Sequence, residues 1–268
     1  MLECTYLSSL LTGLAAVLGA MFLLWLVSLV RRNASLVDVF WGLGFAGLAW
    51  LYFALGPQGA GSRPLLLLGL ATIWGLRLAL HILWRNWGHK EDYRYRAMRE
   101  HHGERFWWVS LFTIFFLQGL LLWIISAPFF VVGISSAQPG WTGTDVLGLL
   151  FWGVGFFFET VGDWQLARFK ANPANRGWVM RKGLWAYTRH PNYFGDAMVW
   201  WGYFFLALAV PAGIWTVVRP LLMTLLLLKV SGVALLEQTI TERRPEYREY
   251  IESTNAFLPW FPRQHSLP

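Results

Sequence analysis

"GLWAYTRHPNYFGDAMVWWGYFFLALAV", residues 183–210, changes character at Asp196. Its first half crowds hydrogen-bonding groups around a helix-breaking Pro191: Arg189, His190, Asn192, Tyr193 and Asp196. Its second half is apolar and ends near Pro211. A solvated loop needs none of those particular groups. The mouth of a membrane helix that binds something polar and negatively charged does.

Working outward, apolar runs of about 20 residues mark spanning helices. Seven are read, roughly Ser9–Val30, Ser35–Leu55, Pro64–Trp84, Phe106–Val132, Thr144–Ala167, Gly195–Val210 and Pro220–Leu236. Composition agrees: 56% of the 268 residues are hydrophobic and 14% charged, where a soluble domain carries roughly 25% charged residues. The expected fold is an all-α integral membrane protein with seven transmembrane helices. No internal repeat or low-complexity linker appears, so residues 1–268 read as one membrane domain with halves 1–132 and 144–268. The first helix lacks a basic leader and a small-residue cleavage site, and Arg31-Arg32 follows it. It reads as a retained helix rather than a removed signal peptide.

The basic residues orient the bundle. With seven spans, 18 of the 22 Lys and Arg fall on one side, and Arg63 and Arg219 lie on the other. By the positive-inside rule the N-terminus is outside and the C-terminus cytoplasmic. The net charge of +7 is therefore topological and implies no nucleic-acid partner. One cysteine, Cys4, excludes an internal disulfide, and the six histidines show no metal spacing. No metal is expected.

Ionisable residues also fall in or at the ends of the apolar runs: Asp38, Arg77, Glu159, Asp163, Lys229 and Glu237, with His81 near a helix end. Each charge at the bilayer centre costs roughly 2.5–3.5 kcal/mol. Such a set must pair internally or line a wet cavity. "GLGFAG", Gly42 to Gly47, matches a dinucleotide fingerprint, but that motif works only between a strand and a helix. Inside a spanning helix it reads as close helix packing. Trp107-Trp108 and Trp200-Trp201 read as interfacial belt or packing.

Most of the polar set gathers on the basic side. Asp163, Arg168 and Lys170 leave the fifth run, Arg181-Lys182 and Arg189-His190 approach the sixth, and Asn192, Tyr193 and Asp196 open it. Lys229, Glu237 and Arg244 come from the seventh run and the tail. Arg and Lys suit phosphates, Asn suits a carboxamide or an adenine edge, and acidic groups accept from ribose hydroxyls. Together these chemistries point to a nucleotide cofactor.

The same strings carry a resemblance. "GLWAYTRHPNYFGD" and, further on, "LLEQTITERRPEYREYIESTNAFLPWFP" resemble the C-terminal half of the steroid 5α-reductase superfamily, most closely its bacterial branch of unassigned membrane reductases. "LVDVFWGLGF" and "RNWGHKEDYRY" resemble that branch more loosely. The resemblance implies an integral membrane protein, in a bacterial inner membrane, that binds NADPH from the cytosol. It also implies reduction of the conjugated C=C bond of a lipid-soluble enone such as a 3-oxo-4-ene steroid.

Carried over, Asn192 and Asp196 match the Asn and acidic residue that hold the nicotinamide amide and its surroundings, and Asp163 matches a cofactor-contacting acid. Lys170 and Lys229 stand where the animal enzymes place Arg, Glu159 where they place Asn, and Glu237 where they place Tyr. Asp38 stands for their substrate-side Glu, and Trp74 stands where they place the partner Tyr. The implied mechanism delivers hydride to the β-carbon while a protonated Asp38, aided by Trp74 or Arg77, stabilises the charge on the ketone oxygen. Two rival readings remain. Isoprenylcysteine and phospholipid methyltransferases, which use S-adenosylmethionine, share a related "RHP-x-Y-x-G" loop. A transporter would use the buried charges as a proton path.

Overall fold

The computed structural model describes residues 2–57, 61–230, 233, 237, 240 and 247–263, and among them it is helical with no strand. The chain divides into two compact units, Met1–Gly140 with Ala209–Gly213, and Trp141–Leu208 with Ile214–Pro268. Among the described residues five helices are long and apolar enough to cross a membrane: Tyr6–Arg31, Leu36–Leu55, Ser62–Asn86, Tyr93–Ile125 and Gly143–Ala171.

In the first unit α1 (Leu2–Arg31), α2 (Leu36–Leu55) and α3 (Ser62–Asn86) follow three of the apolar runs. Gly42 of α2 lies directly against Gly75 of α3, backbone on backbone, and Gly44 faces Leu122. The "GLGFAG" stretch is thus a helical packing surface. The polar segment after α3 departs from the expected loop. Asp92 accepts from the Arg94 amide at 2.9 Å, an N-terminal cap, and starts α4 (Tyr93–His102). A short 3-10 turn, Gly103–Arg105, leads into α5 (Phe106–Ser110), a π-helical stretch (Leu111–Phe116) and α6 (Leu117–Ile125). The fourth apolar run is then cut at Ser126. Pro128 has no N–H to continue the ladder, so α7 (Ala127–Ile134) begins anew.

The second unit is built on α8 (Gly143–Ala171) and α9 (Pro191–Ala207). Asp145 anchors the start of α8 by accepting from the Thr142 amide and hydroxyl at 2.8 and 2.9 Å. Glycines let the two helices touch. A Cβ on Gly155 would lie 2.6 Å from Gly195 O, and one on Gly202 would lie 2.7 Å from Trp152 N. Gly148 and Gly162 extend the same stripe toward Leu206 and Pro191. Trp200 and Tyr203 of α9 are fully buried, so Trp200 packs the core, whereas Trp107 and Trp108 are exposed. Beyond α9, α10 (Val218–Leu225) runs into a second π stretch, Leu226–Val230, and the C-terminal helix covers Tyr247–Ser253.

Candidate functional site

Pro191, preset for a first helical turn, starts α9 with His190 immediately before it. That turn carries Asn192, whose Nδ2 donates to Asp163 Oδ1 of α8 at 3.0 Å. Gly162 meets Pro191 and the Asn192 amide, so the glycine stripe is what brings Asp163 within reach. Glu159, one turn inward on α8, is buried, and Asp196 is half-buried on α9. Both lie close enough to the buried Tyr203 phenol to act on it electrostatically.

Arg189, His190 and Glu237 are brought together inside the protein. Arg189 Nε and Nη2 donate to the two Glu237 oxygens at 2.7 and 2.9 Å. Its Nη1 donates to Ile251 O at 3.0 Å and to Thr254 O. His190 Nε2 lies 3.0 Å from Glu237 Oε1, and its ring stacks on Tyr193 at 5.4 Å. Glu237 lies one residue past the seventh apolar run. Burial pushes its carboxyl up, but the hydrogen bonds from His190 and Arg189 outweigh that and bring it down to about 2. Burial likewise raises the phenols of Tyr247 and Tyr250.

This cluster fastens the tail. The Arg189 amide donates to Asn255 O at 2.9 Å, Thr188 Oγ1 donates to Phe257 O at 2.9 Å, and the Trp260 amide donates to Tyr187 O at 2.9 Å. Tyr250 donates to Trp185 O, and Trp185 Nε1 donates to Gly162 O at 3.0 Å. Nearly all of the Arg189 guanidinium is thereby committed to internal acceptors.

Other predicted cations face outward. Arg168, Lys170, Lys182 and Lys229 are exposed, with Arg168 over the Trp164 ring at 5.5 Å. Arg181 pairs with Glu249 at 2.9 Å and lies over the Tyr250 ring. Arg244 lies outside the described residues.

The first unit holds a separate polar chain. Tyr95 donates its phenol proton to Asp38 Oδ1 at 2.6 Å, and Arg94 Nη2 donates to Asp38 Oδ2 at 3.2 Å. Gln118 Nε2 donates to Tyr95 at 3.3 Å, and Trp41 Nε1 donates to Gln118 Oε1. This chain has a direction. Trp41 fixes which end of the Gln118 amide is oxygen, so the amide N–H points at the phenol oxygen and the phenol proton points at Asp38. Arg94 also binds Asp92 through Nε at 2.9 Å. Half-burial raises the Asp92 carboxyl, but the Arg94 hydrogen bonds hold it below the usual carboxylate range.

Trp74 and Arg77 lie on α3, Trp74 buried against Phe45 at 5.8 Å. The phenol and the cation bonded to Asp38 come instead from α4. Sequence reasoning missed Tyr95, Arg94 and Gln118. The available signal was Asp92 as a helix cap, which turns the expected loop into a helix and sets Tyr95 on a packed face. No group of His, Cys, Asp and Glu fit to hold a metal ion occurs among the described residues.

Compared with known proteins, residues 24–254 match the family model described as "Protein of unknown function (DUF1295)". An uncharacterized protein of Schizosaccharomyces pombe, C594.04c, is 26% identical over 271 residues, which cover 90% of this chain and 77% of that protein. No solved structure matches.

Proposed function

The chain belongs to the DUF1295 family, and on that premise we propose that it is an NADPH-dependent reductase of the conjugated C=C bond of a lipid-soluble enone. The single observation that carries the reading is the Tyr95–Asp38 pair at 2.6 Å. A directed phenol donor on a carboxylate, with Arg94 behind it, is an apparatus for holding and polarising a ketone oxygen. The resemblance of "GLWAYTRHPNYFGD" to the steroid 5α-reductase superfamily supports the same assignment, with a 3-oxo-4-ene steroid or similar molecule as substrate. In the proposed topology seven spans place the N-terminus outside and the loops around residues 168–194 in the cytoplasm of a bacterial inner-membrane protein.

The donor set suits the cofactor. Asn192, held by Asp163, offers an amide to a carboxamide, and the exposed Arg168, Lys170 and Lys182 suit phosphates, the 2′-phosphate included. Arg189, His190 and Glu237 orient that loop from inside. When bound, NADPH supplies the hydride. The chain's part in the chemistry is to bind and to manage the proton. Tyr95 exchanges its bond to Asp38 for one to the substrate carbonyl as negative charge builds on that oxygen. Gln118 keeps donating to the phenol oxygen, Arg94 keeps the Asp38 carboxylate paired once the phenol has left it, and the α-carbon of the enolate takes its proton from water. Donors of this kind are typically worth 10²–10³ in rate.

The test is purified protein in detergent with NADPH and a 3-oxo-4-ene steroid, following absorbance at 340 nm and the saturated ketone product. Enone-dependent oxidation of NADPH is expected. Transfer of a labelled methyl group from S-adenosylmethionine, with no such oxidation, would overturn the reading in favour of a methyltransferase, in which the Arg189–His190–Glu237 cluster serves the methyl donor.

A further inference from the structure

The last described residues place large apolar side chains in the open on a fixed backbone. Leu258, Trp260 and Phe261 are 65%, 68% and 74% exposed. A group of large apolar side chains exposed together on a fixed backbone marks a surface that meets a partner or a membrane. Their backbone is fixed by the bonds of Asn255, Phe257 and Trp260 to Arg189, Thr188 and Tyr187, and by Arg263 N to Ser253 O at 2.9 Å. The Phe261 ring packs edge-on against Tyr187 at 6.0 Å.

Their depth follows from the helix they adjoin. Tyr187 precedes Pro191, the first residue of α9, by four residues, which span at most about 13 Å of chain. α8, a candidate span of 29 residues, is about 43 Å long and outreaches the roughly 30 Å hydrocarbon core. Pro191, the start of α9, meets Gly162, nine residues before α8 ends, and so lies near the edge of that core. Residues bonded to Tyr187 and Thr188 lie in the adjoining headgroup zone. Trp favours that zone, and Phe and Leu bury into its apolar side. Between Asn255 and Arg263 the sequence has no acidic residue, and it ends on the exposed cation of Arg263, which suits anionic lipid.

We propose that Leu258, Trp260 and Phe261 are an interfacial anchor that inserts into the cytoplasmic-side lipid headgroup region, with Arg263 on anionic headgroups, and so ties the Tyr187–Arg189 loop to the bilayer. The inference is independent of the enzymatic reading.

The test uses the full chain with Cys4→Ser in lipid nanodiscs. Trp260→Cys, or Phe261→Cys should that variant fold poorly, is labelled with an environment-sensitive nitrobenzoxadiazole dye, and Arg176→Cys in the exposed loop is the aqueous control. Dye at 260 is expected to emit blue-shifted light relative to the control. It should be quenched several-fold more strongly by headgroup-proximal nitroxide lipid than by aqueous iodide, more so with anionic lipid. Water-like emission with iodide quenching equal to the control overturns the proposal. High-yield disulfide cross-linking between unlabelled Trp260→Cys copies, with no lipid quenching, overturns it in favour of a contact between copies.

Discussion

Removing the Asp38 carboxylate strands no cation, because Arg94 retains Asp92 at 2.9 Å. A buried cation left alone costs about 3–5 kcal/mol, and that penalty does not arise here. Asp38→Leu is expected to lower stability by about 1 kcal/mol, measured as a small shift in thermal unfolding, while enone reduction falls at least about 100-fold. Tyr95→Phe should give the same loss of rate with NADPH affinity unchanged. Wild-type turnover in a folded Tyr95→Phe would remove the phenol from the chemistry. Glu237 is the opposite case. Its carboxyl titrates at about 2 in the fold against an ordinary 4.5, so its contribution of about 3 kcal/mol is complete above pH 4.5 and vanishes as pH falls through 2. Hydrogen-exchange protection of residues 247–257 should be flat from pH 8 to 5 and decline below that. Glu237→Gln should lose it at neutral pH. Asp38 and the Asn192–Asp163 neighbourhood were legible because charges in apolar runs are costly. Tyr95 was not, because it meets Asp38 across 57 residues and nothing local announces that contact.

The α8–α9 contact tests the glycine stripe at the level of elements. A methyl on Gly155 has Gly195 O at 2.6 Å and no flexible side chain to displace, so Gly155→Ala should separate the helices and cost about 3 kcal/mol, the upper end of the usual overpacking range. Gly153, on the same helix, has nothing within 4 Å, and Gly153→Ala should be neutral or slightly stabilising. Comparable melting temperatures for the two variants would contradict the packing. Element boundaries were read well where an apolar run fills a helix, as for α2, α3 and α8. They were misread at residues 93–102, where charged composition disguised a capped helix. They were misread again at Ser126, where uniform apolarity hid the break that Pro128 enforces.

Across the whole molecule, charge distribution carried more than its total. The uneven spread of Lys and Arg is the basis of the proposed orientation, and the structure separates cations turned inward, such as Arg189, from those left in the open. That distinction predicts cofactor choice. Replacing the exposed Lys170 and Lys182 by Ala should raise KM for NADPH several-fold and leave KM for NADH nearly unchanged, measured by steady-state oxidation at 340 nm. Equal effects on both would take the 2′-phosphate away from these residues. Membrane class was plain in composition. The tail-fastening role of Arg189 and Glu237 was hidden, because the same residue types serve an anion and an internal ion pair equally well.

The glycines of α8 at 148, 155 and 162 and those of α9 at 195 and 202 recur every seven residues. Such spacing is indifferent to a slip of one helix along the other by a full heptad, since each small residue then finds another small residue opposite. The bond from Asn192 to Asp163 is not indifferent. The slip that sets Gly195 on Gly162 and Gly202 on Gly155 carries Asn192 from Asp163 to Lys170, and the amide loses its acceptor. Asn192 therefore keeps the two helices in a single alignment, and a protein lacking its side chain would populate a shifted twin of the native fold.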